Sequence, residues 1–341
     1  MAVILRDVAK KAGVSLTTAS MAIRDGKKVS SRTKAKVIKV ARELGFRANA
    51  SAQNLASGRV HTLGVVVQDL RYFGIPYISA IVGGIIEVCD KEGYKIGFAR
   101  SCKSNAKEEV EYIRLAREGR FDGMIIIDQM AKESEIRQLT EMNIPVVLVD
   151  RKIAGMDTPT VRIDYRRVVK EATCHLIGLG HRRIATLPVP SFLFEFKEKL
   201  AGYKEALKEN MIPYDHDLVK NDLVPGNCAE QTKIMVDKML ALPEPPTAYF
   251  CFEVVHTAIL CDVLRYLGVS IPEISVIGCE LDASSHYGLY SIGAIKIPNH
   301  ELGVRVCQVM LGMLNDWDST TDVILNAKFD PKMSCAPPYG M

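Results

Sequence analysis

The spacing of apolar residues changes its period near residue 61, and this change constrains the fold more than any other feature of the sequence. Before it, apolar residues recur at the spacing of short helices; after it, short β-branched runs alternate with amphipathic stretches. That alternation is typical of parallel sheets flanked by helices. Because 341 residues are too many for one compact core, the sequence predicts a small all-α domain followed by a two-lobed α/β body.

The basic residues are concentrated at the N-terminus. Residues 1–60 contain 13 Lys and Arg but only 3 Asp and Glu, a net charge of +10, whereas the whole chain carries +4 and the remainder therefore −6. Such asymmetry is typical of a polyanion-binding domain on an acidic body. A solubilising basic tail would carry the same charge, but it would need no helical pattern.

The basic segment has the pattern of a helix-turn-helix. Apolar side chains in residues 5–12 recur at the spacing of one helical face, and Gly13 follows as a helix stop that tolerates positive φ. Ser15 is a candidate N-cap for a second helix, whose Ala19 and Ala22 would face inwards. Two helices joined by a tight turn that contains glycine make this motif.

Short motifs run through the whole chain in a recognisable order. The N-terminal segment contains DVAKKAGVS at 7–15, VS at 29–30, ELGFR at 43–47 and NA at 49–50. The body contains DR at 150–151, HLIGLGHRRI at 175–184, LAGY at 200–203 and ISVIG at 274–278. Together they resemble the LacI/GalR family of bacterial transcription regulators, and the resemblance extends to about residue 310.

The resemblance implies three parts: a helix-turn-helix headpiece, a hinge helix with its linker, and a periplasmic-binding-protein-like core of two doubly wound parallel-sheet lobes. The predicted bounds are 1–47 for the headpiece, 48–60 for the hinge and 61–341 for the core, with lobes of roughly 62–160 with 291–320 and 163–290 with 321–341. The strands predicted in the core are 62–67, 95–99, 123–127, 146–149, 184–187, 248–252 and 276–279.

In this family the second helix enters the major groove, where the four base pairs can be distinguished. Leu16 and Met21 are apolar at positions that resemble base-reading ones, so we expect readout through thymine methyl groups and DNA shape, with fewer bidentate guanine contacts. Packing within the headpiece is the alternative role for both. The predicted DNA-binding residues of the headpiece are Ser15, Leu16, Thr17, Thr18, Ser20, Met21 and Arg24, of which Thr18 and Ser20 match phosphate contacts.

Residues 49–56 resemble the hinge helix of the family, in which Asn49, Ala52 and Leu55 are the predicted DNA contacts. The resemblance implies that Leu55 wedges between base steps in the minor groove. A helix of about eight residues is marginal in water, so we expect it to order only with DNA and a second copy of the chain. Ala48 replaces the usual proline and leaves the start of this helix open.

The resemblance also implies an effector cleft at the carboxyl ends of the core strands. Asp150 matches a carboxylate that accepts sugar hydroxyls, Lys199 replaces an arginine, and Tyr77 could stack on a sugar ring. With Glu253 and Glu280, three carboxylates face one lysine. This balance favours a polyol, an amino sugar or other cationic group, or a bound cation, over an anionic effector; solvated or salt-bridged residues at a degenerate cleft are the alternative.

The predicted function is a homodimeric, sequence-specific regulator, expected to act as a repressor, that binds a pseudo-palindromic operator under control of a sugar-like effector. Two alternatives are a small-molecule-binding protein without a DNA function and an architectural DNA binder with a vestigial cleft. Catalytic motifs, metal-binding spacings of His and Cys, and apolar runs long enough to span a bilayer are absent from the sequence. We therefore expect no enzyme activity, cofactor, metal or membrane contact, and a cytoplasmic location.

Overall fold

The chain divides into two compact units, Met1–His61 and Thr62–Met341. The computed structural model describes residues 3–23, 29–46, 58–69, 76–102, 109–187, 193–219, 228–279, 291–315 and 322–338.

The N-terminal unit contains three helices, α1 (Leu5–Ala12), α2 (Leu16–Ile23) and α3 (Ser31–Glu43). Gly13 ends α1 at φ +65°, and Ser15 begins α2, with its Oγ accepting from the Thr18 backbone N–H at 3.0 Å. Ser30 caps α3 by the same kind of bond to Thr33. The helix stop at Gly13 and the cap at Ser15, both predicted from the sequence, are therefore confirmed.

Small side chains let the three headpiece helices approach closely. Ala12, Ala19 and Ala22 are fully buried, as are Val8 and Val37 from the flanking helices. This core is small, so loss of any one of its contacts removes a large share of the headpiece's stability.

The core unit begins with β1 (Thr62–Val67), α4 (Pro76–Glu92), β2 (Lys95–Arg100), α5 (Glu111–Arg117), β3 (Gly123–Ile126), α6 (Glu133–Glu141), β4 (Val146–Val149) and β5 (Thr160–Ile163). It continues with α7 (Tyr165–Gly178), β6 (Ile184–Leu187), α8 (Phe194–Glu209), a 3-10 turn (His216–Leu218), α9 (Cys228–Leu240), β7 (Ala248–Cys251), α10 (Val254–Tyr266) and β8 (Ser275–Cys279). It ends with β9 (Gly293–Lys296), α11 (Asn299–Leu314), β10 (Val323–Leu325) and β11 (Lys328–Asp330).

These strands form two sheets, each covered by helices on both faces. The first sheet has the order β2-β1-β3-β4-β5-β10 and is parallel throughout; the second has the order β6-β7-β8-β9-β11, with β11 antiparallel. Successive residues of a strand point to opposite faces. In β3, Ile125 accordingly packs with α4 and α11, whereas Ile126 packs with α5 and α6. The predicted pair of doubly wound lobes is confirmed.

The seven strands predicted from the sequence are present, with ends shifted by at most one residue. The predicted lobe bounds are wrong in two places. β9, placed with the first lobe, pairs with β8 in the second sheet, and β10, placed with the second lobe, pairs with β5 in the first. The chain thus crosses between lobes after β5, after β9 and after β10. Short strands at such crossings carry no sequence signal that says which sheet they join.

Two glycines bring α4 and α11 into backbone contact. A Cβ on Gly303 would lie 1.9 Å from the Ile81 carbonyl oxygen, and one on Gly84 would lie 2.1 Å from the His300 carbonyl oxygen. No side chain fits at such distances, so this crossing admits only glycine at both positions.

No helix among the described residues is long and apolar enough to cross a membrane.

We predict that Gly303→Ala lowers the free energy of unfolding by about 3 kcal/mol, because the added methyl group must force α4 and α11 apart. Urea denaturation followed by circular dichroism measures the change. Gly178→Ala is the matched control, since Gly178 is helical and has open space around its Cβ position; it should leave stability unchanged or raise it by up to about 1 kcal/mol. Equal effects of the two substitutions would contradict the close helix crossing.

Candidate functional site

The outer face of α2 carries exposed side chains where base-reading residues were predicted. Leu16 is 48% exposed and Met21 37% exposed, whereas Ala19 and Ala22 on the opposite face are fully buried. Neither Leu16 nor Met21 belongs to the headpiece core. The structure therefore does not support the alternative role of these two side chains, which was packing within the headpiece. Thr17 is also exposed.

Ser15 and Thr18, two of the other predicted DNA-binding residues, are hydrogen-bonded to each other. The hydroxyls of Ser15 and Thr18 lie 2.8 Å apart, in addition to the cap bond between them. Ser20 is half-buried. Four further predicted residues lie outside the described residues: Arg24, Asn49, Ala52 and Leu55.

The described acidic residues of the headpiece are engaged within it, which leaves the basic charge facing solvent. Asp7 accepts from the Ile4 backbone N–H at 3.0 Å, and Glu43 forms an ion pair with Lys11 at 3.4 Å. The exposed basic residues around them are Arg6, Lys10, Lys11, Arg32, Lys36, Lys39 and Arg42.

In the core, Asp150 follows the carboxyl end of β4 and is the centre of a buried polar cluster. Its backbone has φ +48°, a conformation that Asp and Asn tolerate better than other side chains, and it is 1% exposed. One carboxylate oxygen accepts from the Ile163 backbone N–H at 2.7 Å. The other accepts from the Tyr165 hydroxyl at 2.9 Å and from the Tyr77 hydroxyl at 3.1 Å.

Burial of the Asp150 carboxylate raises its pKa to about 7, and the negative charge of nearby Glu195 acts in the same direction. The three donated hydrogen bonds favour the ionised form but do not offset the loss of hydration. Asp150 therefore changes charge near neutral pH, unlike an exposed aspartate.

Lys199 lies on α8 and is fully buried. Its ammonium group donates to the Phe252 carbonyl oxygen at 3.1 Å, lies 3.4 Å from the Glu195 carboxylate, and sits 4.7 Å from the centre of the Tyr165 ring. A buried ammonium needs such partners, because an unpaired one would be too costly to desolvate.

Tyr165 connects the two lobes at this cluster. It is the first residue of α7, which packs against α8 and β9 in the second lobe, while its hydroxyl reaches Asp150 in the first. The structure thus brings Tyr77, Asp150 and Lys199 into one network through a tyrosine that the sequence did not single out.

Glu253 lies at the end of β7, one residue after the carbonyl that binds Lys199. Its carboxylate is 33% exposed and lies 3.6 Å from His256 Nε2, while His256 Nδ1 lies 2.9 Å from the Thr232 hydroxyl. Burial lowers the pKa of His256 to about 4, so the imidazole is neutral at pH 7 and its contact with Glu253 is not an ion pair. Glu280, the third predicted carboxylate, lies outside the described residues.

Three residues that contact the predicted effector residues were not predicted from the sequence: Tyr165, Glu195 and His256. Glu195 had a signal, because it precedes Lys199 by four residues on one helix face, the spacing of an ion pair. His256 had one as well, because it follows Glu253 by three residues, whereas Tyr165 had none. Within the described residues, no three His, Cys, Asp or Glu side chains lie close enough to hold a metal ion.

A separate cavity of about 670 Å³ lies near the amino ends of β6 and β7 in the second sheet. Its lining includes Arg183, Tyr203 and Tyr214. Arg183 is already bonded there to Asp215 and to the Glu244 carbonyl. Because ligands of such sheets bind at the carboxyl ends of the strands, the Asp150 cluster is the stronger candidate site.

A basic helix-turn-helix headpiece joined to a two-lobed core with a polar cluster between its lobes defines a ligand-controlled DNA-binding regulator. The family model "Bacterial regulatory proteins, lacI family" matches residues 4–49, and "Periplasmic binding proteins and sugar binding domain of LacI family" matches residues 60–308. The chain belongs to the LacI family. It is a DNA-binding transcription regulator with a core of the kind through which small molecules control such proteins.

Individual relatives are similar along nearly the whole chain. The HTH-type transcriptional repressor PurR of Vibrio atlanticus (strain LGP32) is 28% identical over 318 residues, which cover 92% of each chain. The HTH-type transcriptional regulator AscG of Escherichia coli (strain K12) is 27% identical and covers 97% of this chain and 98% of its own. A solved lac repressor dimer, bound to operator and the anti-inducer ONPF, shares the fold with a TM-score of 0.79, at 22% identity and coverage of 98% and 100%.

We predict that Asp150→Asn changes how stability depends on pH. Because the folded-state pKa of Asp150 is raised to about 7, the folded protein binds this proton more tightly than the unfolded chain does. The Asp150 contribution is therefore fully present at pH below about 4 and is lost as pH rises to about 7. Relative to the Asn variant, the wild type should lose on the order of 1 kcal/mol of unfolding free energy per pH unit between pH 5 and pH 7.

Urea denaturation of both proteins from pH 5 to pH 8 measures this difference, and the opposite contribution of buried His256 cancels in it. Asparagine keeps the backbone conformation at positive φ. Asp262→Asn, which changes an exposed carboxylate, is the control and should alter stability by less than about 0.5 kcal/mol at every pH. Parallel curves for the wild type and Asp150→Asn would show that this carboxylate does not bind a proton in the tested range.

Proposed function

We propose that this protein is a homodimeric repressor that binds a pseudo-palindromic operator and releases or engages it according to the occupancy of the cleft at Asp150. The observation that carries the proposal is the outer face of α2, where Leu16, Thr17 and Met21 are exposed on a basic headpiece. Exposed apolar side chains on a DNA-facing helix are costly in water and gain from contact with thymine methyl groups. Because a DNA-binding transcription regulator acts on DNA in the cell, we also propose a cytoplasmic location.

The contacts divide by role. Leu16 and Met21 supply base contacts, and Ser20 and Thr18 supply phosphate contacts that fix the position of the helix without reading sequence. Arg24, together with Asn49, Ala52 and Leu55 of the hinge, completes the predicted interface by resemblance to the family.

Coupling between the cleft and DNA rests on the polar cluster that spans the lobes. Tyr165 holds Asp150 of the first lobe and contacts Lys199 of the second. A ligand that takes over one of these bonds changes the free-energy balance between lobe orientations, and the orientation sets the separation of the two hinges in a dimer.

The charges of the cleft favour a neutral or cationic polyol as effector. Lys199 is already paired with Glu195 and with a carbonyl oxygen, so it has little attraction left for an anion. Glu253 is partly exposed and adds negative charge at the same edge. A sugar or amino sugar, whose hydroxyls both donate and accept, fits these groups better than a phosphate or carboxylate ligand.

For the headpiece, we predict that Leu16→Ala and Met21→Ala each reduce the preference for the operator over random DNA by roughly fivefold to a hundredfold, the loss typical of one base contact. The slope of log K against log salt should stay unchanged, because neither side chain is charged. Ser20→Ala is the control and should weaken binding to both DNAs equally. Fluorescence anisotropy with the best duplex selected from a random pool provides the measurement.

If the wild type binds scrambled duplexes as tightly as its selected site, the protein is an architectural DNA binder and the proposal of sequence-specific repression is wrong. Sedimentation of the same samples tests the dimer, because a protein that stays monomeric at the concentrations of the binding assay cannot span two half-sites.

For the cleft, we predict that a neutral sugar or its amino-sugar counterpart raises the melting temperature in a thermal-shift screen, whereas phosphate and simple carboxylates do not. Glu253→Gln should weaken binding of the amino sugar by roughly fivefold to tenfold and leave the neutral counterpart nearly unchanged, since a charge-assisted hydrogen bond becomes a neutral one. Tight binding of an anionic ligand at this cluster would contradict the proposed effector class.

A further inference from the structure

Two buried cysteines touch at the crossing of α4 and α11. Cys89 Sγ and Cys307 Sγ lie 3.6 Å apart, although 218 residues separate them in the sequence, and their side chains are 1% and 0% exposed. The two helices are already in backbone contact one turn away, where Gly303 meets the Ile81 carbonyl. This close crossing brings the two thiols together.

We propose that Cys89 and Cys307 form a reversible disulfide when the protein meets a hydroperoxide, so that the α4–α11 crossing is a redox modification site. In the first step the Cys89 thiolate attacks the peroxide oxygen, the O–O bond breaks, and Cys89 sulfenic acid and hydroxide form. In the second, the Cys307 sulfur displaces the sulfenic oxygen, which leaves as water with the Cys307 proton. In sum, two thiols and hydrogen peroxide give one disulfide and two waters, because the proton that Cys89 loses on ionising neutralises the hydroxide.

The roles of the two sulfurs follow from their contact. The hydrogen bond from the Cys307 thiol lowers the pKa of Cys89, whereas the same bond together with burial raises the pKa of Cys307. We therefore assign attack on the peroxide to Cys89 and resolution to Cys307, an order that the Cys307→Ala variant tests. By contrast, burial raises the pKa of Cys251 and Cys261, which keeps both of those thiols protonated.

The geometry requires only small movements. The sulfurs must approach by about 1.5 Å more, and they lie on helices that are already in backbone contact. Both thiols are buried, so the peroxide reaches them through transient opening of the crossing, and we expect oxidation over minutes rather than seconds.

The bond would act on the helix that carries Tyr77. Tyr77 lies in the first turn of α4, and its hydroxyl donates a hydrogen bond to Asp150. α11 follows β9, after which the chain passes from the second lobe to the first. A covalent link between these helices would restrict α4 near its C-terminal end, about 18 Å along the helix from Tyr77. This consequence follows from the fold alone and does not require that the effector be known.

The test uses the reduced full-length protein treated with hydrogen peroxide, followed by alkylation of the remaining thiols, digestion without reductant and mass spectrometry. We expect a linked peptide pair containing Cys89 and Cys307, which dithiothreitol separates. The oxidised protein should melt several degrees higher than the reduced one, because the link closes a long loop in the unfolded chain. Cys307→Ala lacks the resolving thiol and should accumulate Cys89 sulfenic acid, which dimedone traps.

Cys174→Ala is the matched control, since Cys174 is partly exposed and does not contact the pair; it should leave the linked peptide unchanged. If partly exposed cysteines such as Cys102 and Cys335 are oxidised while Cys89 and Cys307 remain alkylatable after unfolding, the proposal is wrong. Absence of a dimedone adduct on Cys89 in a folded Cys307→Ala protein would likewise overturn the assigned order of the two thiols.

Discussion

The buried contact of Asp150 with Tyr165 is the interaction on which the rest of the core depends. It joins a carboxylate at the end of a first-lobe strand to a side chain of the second lobe, and the same tyrosine ring lies against the Lys199 ammonium. Removing two charges from water is costly, so this cluster persists only because each member is bonded. A group that is bonded across both lobes responds when a ligand replaces one of its partners, and the proposed control by occupancy rests on this property.

In the headpiece, by contrast, the described charged side chains face solvent and are not buried in a bonded cluster. Its core is small and built from alanine and valine, and its acids are engaged internally, so the surface left over is basic, with Leu16 and Met21 exposed on one helix. In the proposed function, the basic charge attracts the DNA polyanion and the two apolar side chains contact methyl groups in its major groove. The two units thus separate recognition of DNA from recognition of a small molecule, as membership of the LacI family leads one to expect.

Much of the fold could be predicted because its signals are local. The helix stop at Gly13, the cap at Ser15 and seven strands follow from patterns within a few residues. The effector residues Tyr77, Asp150 and Lys199 were reached through the family resemblance, and the structure brings them together, whereas their roles toward a ligand stay predictions. Glu195 and His256 were within reach of helical spacing, since each lies three or four residues from a predicted residue, but Tyr165 contacts Asp150 and Lys199, which are farther away in the chain.

The sequence by itself determined the order of the parts, the charge of the headpiece and the apolar faces of its helices, because periodicity, capping and net charge depend on neighbouring residues only. Tertiary structure decided which sheet β9 and β10 join, which tyrosine bridges the lobes and which two thiols meet. Those outcomes depend on backbone approach between segments up to 218 residues apart, and distances of that kind are fixed by packing of the whole core and by no local pattern.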